Sequence, residues 1–248
     1  MSIFSLSKPA GLFTLIVILL AGCQAPYPKG VTPVQATWLL GYHTIPARYT
    51  RDHLEKFWRH TLDWQAQASK AVRADIKIPV ALYLHGCAGI GREDTSYRKL
   101  MLEQGYAVFM PDSFARNRMP CADEGSLSDR VYMRTAEVRN ALQQLRKLPW
   151  VDQDRIILMG FSEGGNAVDN WSRPGFRAMI ILGSACTEGS TDKPAAPGNV
   201  PVLAIVGQND TYRPGLHCNI TRTIGGSRSI VIPGAGHKVA AYPQTREA

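Results

Sequence analysis

The sequence predicts an α/β sandwich, a mostly parallel central sheet flanked by helices in three layers. Three observations carry this. Short apolar runs recur from residue 78 onward with helical segments between them. The runs are apolar at nearly every position instead of alternating, the pattern of strands covered on both faces. Strand, helix and strand then repeat with no linker, internal repeat or low-complexity stretch between residues 78 and 240, which predicts one domain with ligand sites at the carboxyl ends of the strands. The 248 residues are 45% hydrophobic and 19% charged, which excludes a disordered chain, and the one terminal apolar run excludes a polytopic membrane protein.

Taken in order, residues 1–22 read as a lipoprotein-type signal peptide. Lys8 precedes an apolar run from Ala10 to Gly22, which is shorter than the ~20 residues of a membrane-spanning helix. Leu20-Ala21-Gly22-Cys23 resembles the lipobox of bacterial lipoproteins. That resemblance implies cleavage before Cys23, lipidation of Cys23 and attachment to a membrane, since two or more acyl chains hold firmly. Gln24 in place of Asp points to the outer membrane facing the periplasm. Cys23 to residue 36, with Pro26, Pro28 and Pro33, reads as anchor and extended tether. The domain, residues 37–248, opens with a helical extension. Arg51 to Ala71 spaces Leu54, Phe57, Trp58 and Leu62 along one helical face, with His53 and His60 in surface or packing roles.

Six strands come next: Ile78–Leu84, Tyr106–Met110, Arg155–Met159, Ala178–Leu182, Val202–Val206 and Ser229–Ile232. Between the second and third, Ser126 as N-cap with Asp129 three residues on begins a helix that Pro149 stops. Its apolar stripe is Leu127, Val131, Val138, Leu142, Leu145 and Leu148, and Arg134, Arg139 and Arg146 read as part of its solvated face.

The net charge of +8 is spread singly and forms no dense Lys/Arg run, so nucleic acid is not an expected partner. Beyond Cys23 an even number of cysteines remains: Cys87, Cys121, Cys186 and Cys218. In an exported chain they suggest two disulfides among three connectivities, with Cys87–Cys121 and Cys186–Cys218 preferred. No C-x-x-C or His/Cys cluster has metal-ligand spacing, so neither metal nor cofactor is expected.

The chemistry concentrates in Gly160-Phe161-Ser162-Glu163-Gly164-Gly165, a G-x-S-x-G turn between a buried strand and a helix. Such a turn lifts the serine oxygen clear of the backbone, and the glycines remove side chains that would clash. Serine is a weak nucleophile that needs a base oriented by an acid. Asp210 and His237 stand just past the strands Val202–Val206 and Ser229–Ile232, in the order this architecture requires. The rivals are weaker: Asp192 sits in a Pro-rich loop with no strand immediately before it, and His217 lies just after Asp210 in a segment expected to pack beside Cys218. Two N–H donors must stabilise the tetrahedral oxyanion. Backbone Glu163 is one candidate; Cys87, in the loop His85-Gly86-Cys87-Ala88-Gly89, is the other, with Ala88 close behind. His85 reads as a loop-fixing hydrogen bonder. Phe114 and Arg116, in Pro111-Asp112-Ser113-Phe114-Ala115-Arg116, read as substrate-pocket residues, with Arg116 or Arg118 meeting a carboxylate. A loop held by Asp112 and an arginine is the alternative.

The ordered set H-G-C-A-G, P-D-S-F-A-R, G-F-S-E-G-G, Q-N-D and G-A-G-H, spanning residues 78–237, resembles the dienelactone hydrolase family of the α/β-hydrolase superfamily. The resemblance implies a metal-free hydrolase working through an acyl-enzyme, and Ser162, Asp210 and His237 fall on the family's three catalytic positions. This sequence departs from the founding members, which are cytoplasmic with a cysteine nucleophile. The reading is an exported serine carboxylesterase acting on a small-molecule ester. A peptidase of the prolyl-oligopeptidase type and a non-catalytic binding lipoprotein are the alternatives.

Overall fold

A computed structural model describes residues 28–116, 127–184, 186, 194–212 and 218–248. The expected signal peptide, Cys23 and the first residues of the expected tether, through residue 27, lie outside the described residues.

Eight strands form one sheet. They are β1 (Tyr42–Ile45), β2 (Lys56–Arg59), β3 (Ile78–Leu84), β4 (Ala107–Met110), β5 (Val151–Phe161), β6 (Ala178–Leu182), β7 (Val202–Gly207) and β8 (Arg228–Ile232), in the spatial order β2-β1-β4-β3-β5-β6-β7-β8. β3 to β8 run parallel, while β1 is antiparallel to both β2 and β4. The helices are α1 (Pro33–Leu39), α2 (Trp64–Ala71), α3 (Arg92–Glu103), α4 (Leu127–Leu145), α5 (Glu163–Asp169) and α6 (Pro243–Glu247).

All six predicted strands are present; the interior ones are covered on both faces, while β8, at the sheet edge, is buried only at Ile232. β3 is buried throughout, and its side chains divide by the period of two. Val80, Leu82 and Leu84 join a core with Trp38, Phe109, Val138 and Leu145 on one face. Ala81 and Tyr83 join Tyr97, Met101, Phe161 and Ile205 on the other. The α4 helix ends at Leu145, and tighter bonds such as Leu148 N–H to Leu145 O (3.1 Å) carry the turn on to Pro149. Its expected cap, Ser126, lies outside the described residues.

The N-terminal region differs from the sequence reading. Residues 51–71 are not one helix: β2 occupies Lys56–Arg59, and only Trp64–Ala71 is helical. Trp58 is buried where β2 pairs with β1, but Leu54 is 60% exposed and Phe57 and Leu62 are also exposed, so no helical stripe exists. His53 and His60 have positive φ (55° and 51°), which interrupts a right-handed helix on either side of the strand. Likewise Pro33 belongs to no tether. It is the first residue of α1, whose Thr32 cap forms a reciprocal box with Gln35 and whose Trp38 is buried.

Behind these elements His43 is wholly buried among Trp38, Trp64 and Phe109, with its Nε2–H donating to Trp38 O (2.8 Å). Burial pulls its pKa down from 6.5 to about 3. As pH falls from about 6.5 to about 3, the unfolded chain takes up a proton that the folded protein does not. Stability therefore falls across that window, by at most ~1.4 kcal/mol per pH unit from this group. In urea unfolding at pH 6 and pH 4.5, His43→Gln is expected to remove that share of the loss. An unchanged pH slope in the variant would contradict it.

Cys186 and Cys218 form a disulfide, joining the segment after β6 to the segment after the β7 loop. Cys87 is also disulfide-bonded; its preferred partner, Cys121, lies outside the described residues.

Candidate active site

Ser162 stands between the last residue of β5 and the first of α5, with φ 55° and ψ −118°. A serine in that region carries strain of order 1–3 kcal/mol, held only because its surroundings over-determine it. The surroundings are visible in the glycines. A Cβ on Gly160 would stand 2.4 Å from Gly164 O, and one on Gly165 would stand 2.8 Å from Ser184 Cβ. Backbone bonds from Ser162 N to Leu182 O (2.8 Å) and from Asn166 N to Ser162 O (3.0 Å) fix the turn from both sides.

Asp210 and His237 come together at the neighbouring strand ends. The loops beyond β7 and β8 are laced by Gln208 N to Ile232 O (3.0 Å) and Asn209 N to Ala235 O (2.8 Å). They approach so closely that a Cβ on Gly207 would lie 2.0 Å from Gly236 O. Asp210 is buried; its Oδ2 takes the His237 Nδ1–H at 2.8 Å and its Oδ1 takes the Tyr212 N–H at 2.9 Å. That bond places the proton of a neutral ring on Nδ1 and leaves the Nε2 lone pair open. The imidazole packs on Phe161, the residue before Ser162, at 4.9 Å and on Tyr212 at 4.5 Å between ring centroids. Beyond it, Ala240 N–H donates to Glu93 Oε1 (2.8 Å), tying the segment after His237 to α3. Among the described residues, neither Ser162 Oγ nor His237 Nε2 has a hydrogen-bond partner. Asp192 and His217 lie outside the described residues.

The loop after β3 lies against the serine: a Cβ on Gly86 would be 3.4 Å from Ser162 Cβ. His85 is buried and fixes this loop, as its sequence position suggests. Its Nδ1–H donates to Gly86 O (2.7 Å) and its Nε2 accepts from Ser113 N–H (3.0 Å). Phe114 stacks on His85 at 5.8 Å and closes over Gly89. Arg116 is committed to protein contacts: Nη1 reaches Glu137 Oε1 at 3.1 Å and Met133 O at 3.2 Å. Asp112 holds its own loop through Phe114 N–H (2.9 Å) and meets His60 at 3.1 Å. Arg118 lies outside the described residues.

The sequence reading missed a set of buried charges behind this loop. Arg134 is not on a solvated face; it is completely buried, as is most of Glu137, and the two pair at 2.9 Å. The signal was its position: Arg134, Val138, Ala141 and Leu145 fall on one inward stripe of α4. The sequence points to Glu163 only for its backbone, yet its buried carboxylate faces Arg130 (3.5 Å) and Arg134 (3.8 Å). Among the described residues, no group of three or more His, Cys, Asp or Glu side chains is arranged to hold a metal ion.

The profile of the dienelactone hydrolase family matches residues 49–244. The chain belongs to the dienelactone hydrolase family. It is accordingly a hydrolase, built on the α/β-hydrolase fold. Solved structures of similar fold include the esterase PE8 (TM-score 0.52, 19% identity, covering 69% of this chain and 89% of that one). Est1E from Butyrivibrio proteoclasticus with ferulic acid bound is another (TM-score 0.51, 15% identity, 69% and 86%). A third is XC6422 from Xanthomonas campestris, an α/β serine hydrolase without a lid (TM-score 0.50, 14% identity, 71% and 82%). At these identities the shared property is the fold. Comparison with curated proteins gives no match. In this dienelactone hydrolase family member, the matched segment takes in Ser162, Asp210 and His237 together with the buried charges of α4.

Proposed function

We propose that this hydrolase is a serine carboxylesterase working through an acyl-enzyme, with Ser162 as nucleophile, His237 as base and Asp210 as the acid that orients it. The observation that carries the reading is the bond from His237 to the buried Asp210, packed against Phe161 beside a serine held at a φ that serine rarely adopts. His237 Nε2 takes the proton from Ser162 Oγ as the oxygen attacks the ester carbonyl carbon. The backbone N–H groups of Glu163 and Cys87 take the oxyanion. The intermediate collapses, breaking the bond to the alcohol oxygen, which leaves with the proton from His237. Water then gives its proton to His237 and attacks the acyl carbon, and Ser162 leaves with that proton restored.

The substrate reading is a small-molecule ester. Tyr212, 74% exposed beside the His237 ring, and the half-buried Phe114 offer apolar surface near the serine. Arg116 serves the loop instead of a substrate carboxylate in this reading, since Glu137 holds its guanidinium. The test is hydrolysis of a panel of p-nitrophenyl esters from acetyl to long acyl chains by the mature protein. Turnover of at least one member is expected, and uniform inactivity of a folded, oxidised sample would overturn the reading.

The proposal includes export. Residues 1–22 act as signal peptide, a tether begins with lipidated Cys23, and the chain from α1 onward is a single hydrolase domain on the outer membrane facing the periplasm. The Cys186–Cys218 disulfide supports an oxidising compartment. Labelling of cells with a palmitate analogue, absent from Cys23→Ala, tests the anchor; equal labelling of both would refute it.

A further inference from the structure

We propose that Arg134 is the positioning residue of the oxyanion site, hydrogen-bonded from behind to the backbone carbonyl that opens the His85–Gly89 loop and ion-paired with the side chain of Glu163, the residue after Ser162. The inference rests on the serine-esterase reading above.

Arg134 lies on α4, and its side chain is 0% exposed. Nη2–H donates to His85 O at 2.7 Å, and Nη1–H donates to Glu137 Oε2 at 2.9 Å. Nη1 also lies 3.4 Å from His85 Nε2, and Nε lies 3.8 Å from Glu163 Oε1. One guanidinium thus touches the residue that opens the loop before Cys87 and the residue directly after Ser162. The two backbones meet there: a Cβ on Gly164 would stand 2.8 Å from His85 O, the same carbonyl that Arg134 holds. Glu137 in turn anchors Ser113 Oγ at 2.6 Å and Arg116. Among the described residues, the charges paired around the site include Arg116, Arg130 and Arg134 against Asp112, Glu137 and Glu163.

A buried guanidinium is a costly way to stabilise a fold, because apolar residues of similar volume often serve as well or better. What an apolar residue cannot do is fix the direction of a carbonyl. The His85 carbonyl belongs to the His85–Gly86 peptide, so its orientation sets the course of the chain into Cys87. A rigid fork with two separate partners suits this role, and a lysine ammonium has no such fork. Arg134 touches no reacting atom. Its effect should therefore fall on transition-state stabilisation and leave substrate binding alone.

The experiment compares Arg134→Lys and Arg134→Met with the parent and Ser162→Ala on p-nitrophenyl acetate. Competent sites are counted by fluorophosphonate labelling carried to completion, so that unfolded molecules drop out of the rate. The expected result is a kcat per site lowered ~10-fold in Arg134→Lys and ~100-fold in Arg134→Met, with KM within about twofold, on the scale of a lost oxyanion donor. Affinity for a boronic acid that forms a tetrahedral adduct on serine should fall in parallel. A purely structural role would reduce the number of sites and leave kcat per site and boronate affinity unchanged; that outcome overturns the proposal. If the Arg134 variants do not fold, Glu137→Gln, which weakens the 2.9 Å contact without changing volume, is read by the same criteria. Ester hydrolysis surviving in Ser162→Ala would instead remove the esterase mechanism itself. An inactive Ser162→Ala beside a fully active Arg134→Lys would sink the positioning role alone.

Discussion

Ser162→Ala is expected to lower kcat for short-chain esters by on the order of 10⁴-fold or more, with thermal stability little changed. The substitution removes only Oγ, which has no hydrogen-bond partner among the described residues, and alanine inherits the same turn. The bonds that fix the turn run through the backbone, from Ser162 N to Leu182 O and from Asn166 N to Ser162 O, and both survive. The Asp210–His237 pair also survives, but it has no oxygen to deprotonate. The residual rate is whatever the backbone donors and substrate binding provide without a nucleophile. Steady-state rates for the parent and the variant, with circular dichroism to verify folding, check this. A variant retaining a tenth of the parent rate would remove Ser162 from the mechanism.

Gly164→Ala is expected to be the most damaging single-methyl change near the site. The new Cβ would lie 2.1 Å from Leu84 O, 2.7 Å from Leu84 C and 2.8 Å from His85 O. All three are backbone atoms of β3 or its exit, in a strand flanked by β4 and β5, so no side chain can rotate to relieve the overlap. Overpacking of this kind costs about 3 kcal/mol or more when the backbone must move. The movement would draw the His85–Gly89 loop away from Ser162, so activity should fall with stability. Gly198→Ala is the control, since nothing lies within 4 Å of its Cβ position and its change should stay within about 0.5 kcal/mol. Urea midpoints of the two variants decide the matter: equal midpoints would mean that the close approach of α5 to β3 is not as described.

The central sheet was readable because burial on both faces leaves an unbroken apolar run, and that pattern survives in Ile78–Leu84 and Ala178–Leu182 with their bounds intact. The sheet's near edge was not readable. β1 and β2 are four residues each, and β2 has the pattern Lys56-Phe57-Trp58-Arg59 with only Trp58 buried, so helical spacing of the surrounding apolar residues outweighed a single buried position. What decides β2 is its pairing with β1, a long-range fact. The candidate site was readable for a related reason. Ser162, Asp210 and His237 each come after a recognisable strand, and parallel strands deliver their exit loops to one edge of the sheet. The loop after β4 was placed at that edge too, but the partner of Arg116 was hidden because Glu137 lies on another element. Residue type alone hides Arg134, because an arginine on a helix is normally solvated. Here its stripe position points inward, and the carbonyl of His85 and two carboxylates receive it.

The central claim is that Ser162 is an activated nucleophile, and fluorophosphonate labelling of the mature, oxidised protein followed by mass mapping tests it most directly. A single adduct on the peptide containing Ser162 is the predicted result, because in the proposed mechanism His237 and the oxyanion donors activate that oxygen alone. No adduct on a folded sample, or an adduct on a different residue, would contradict the account.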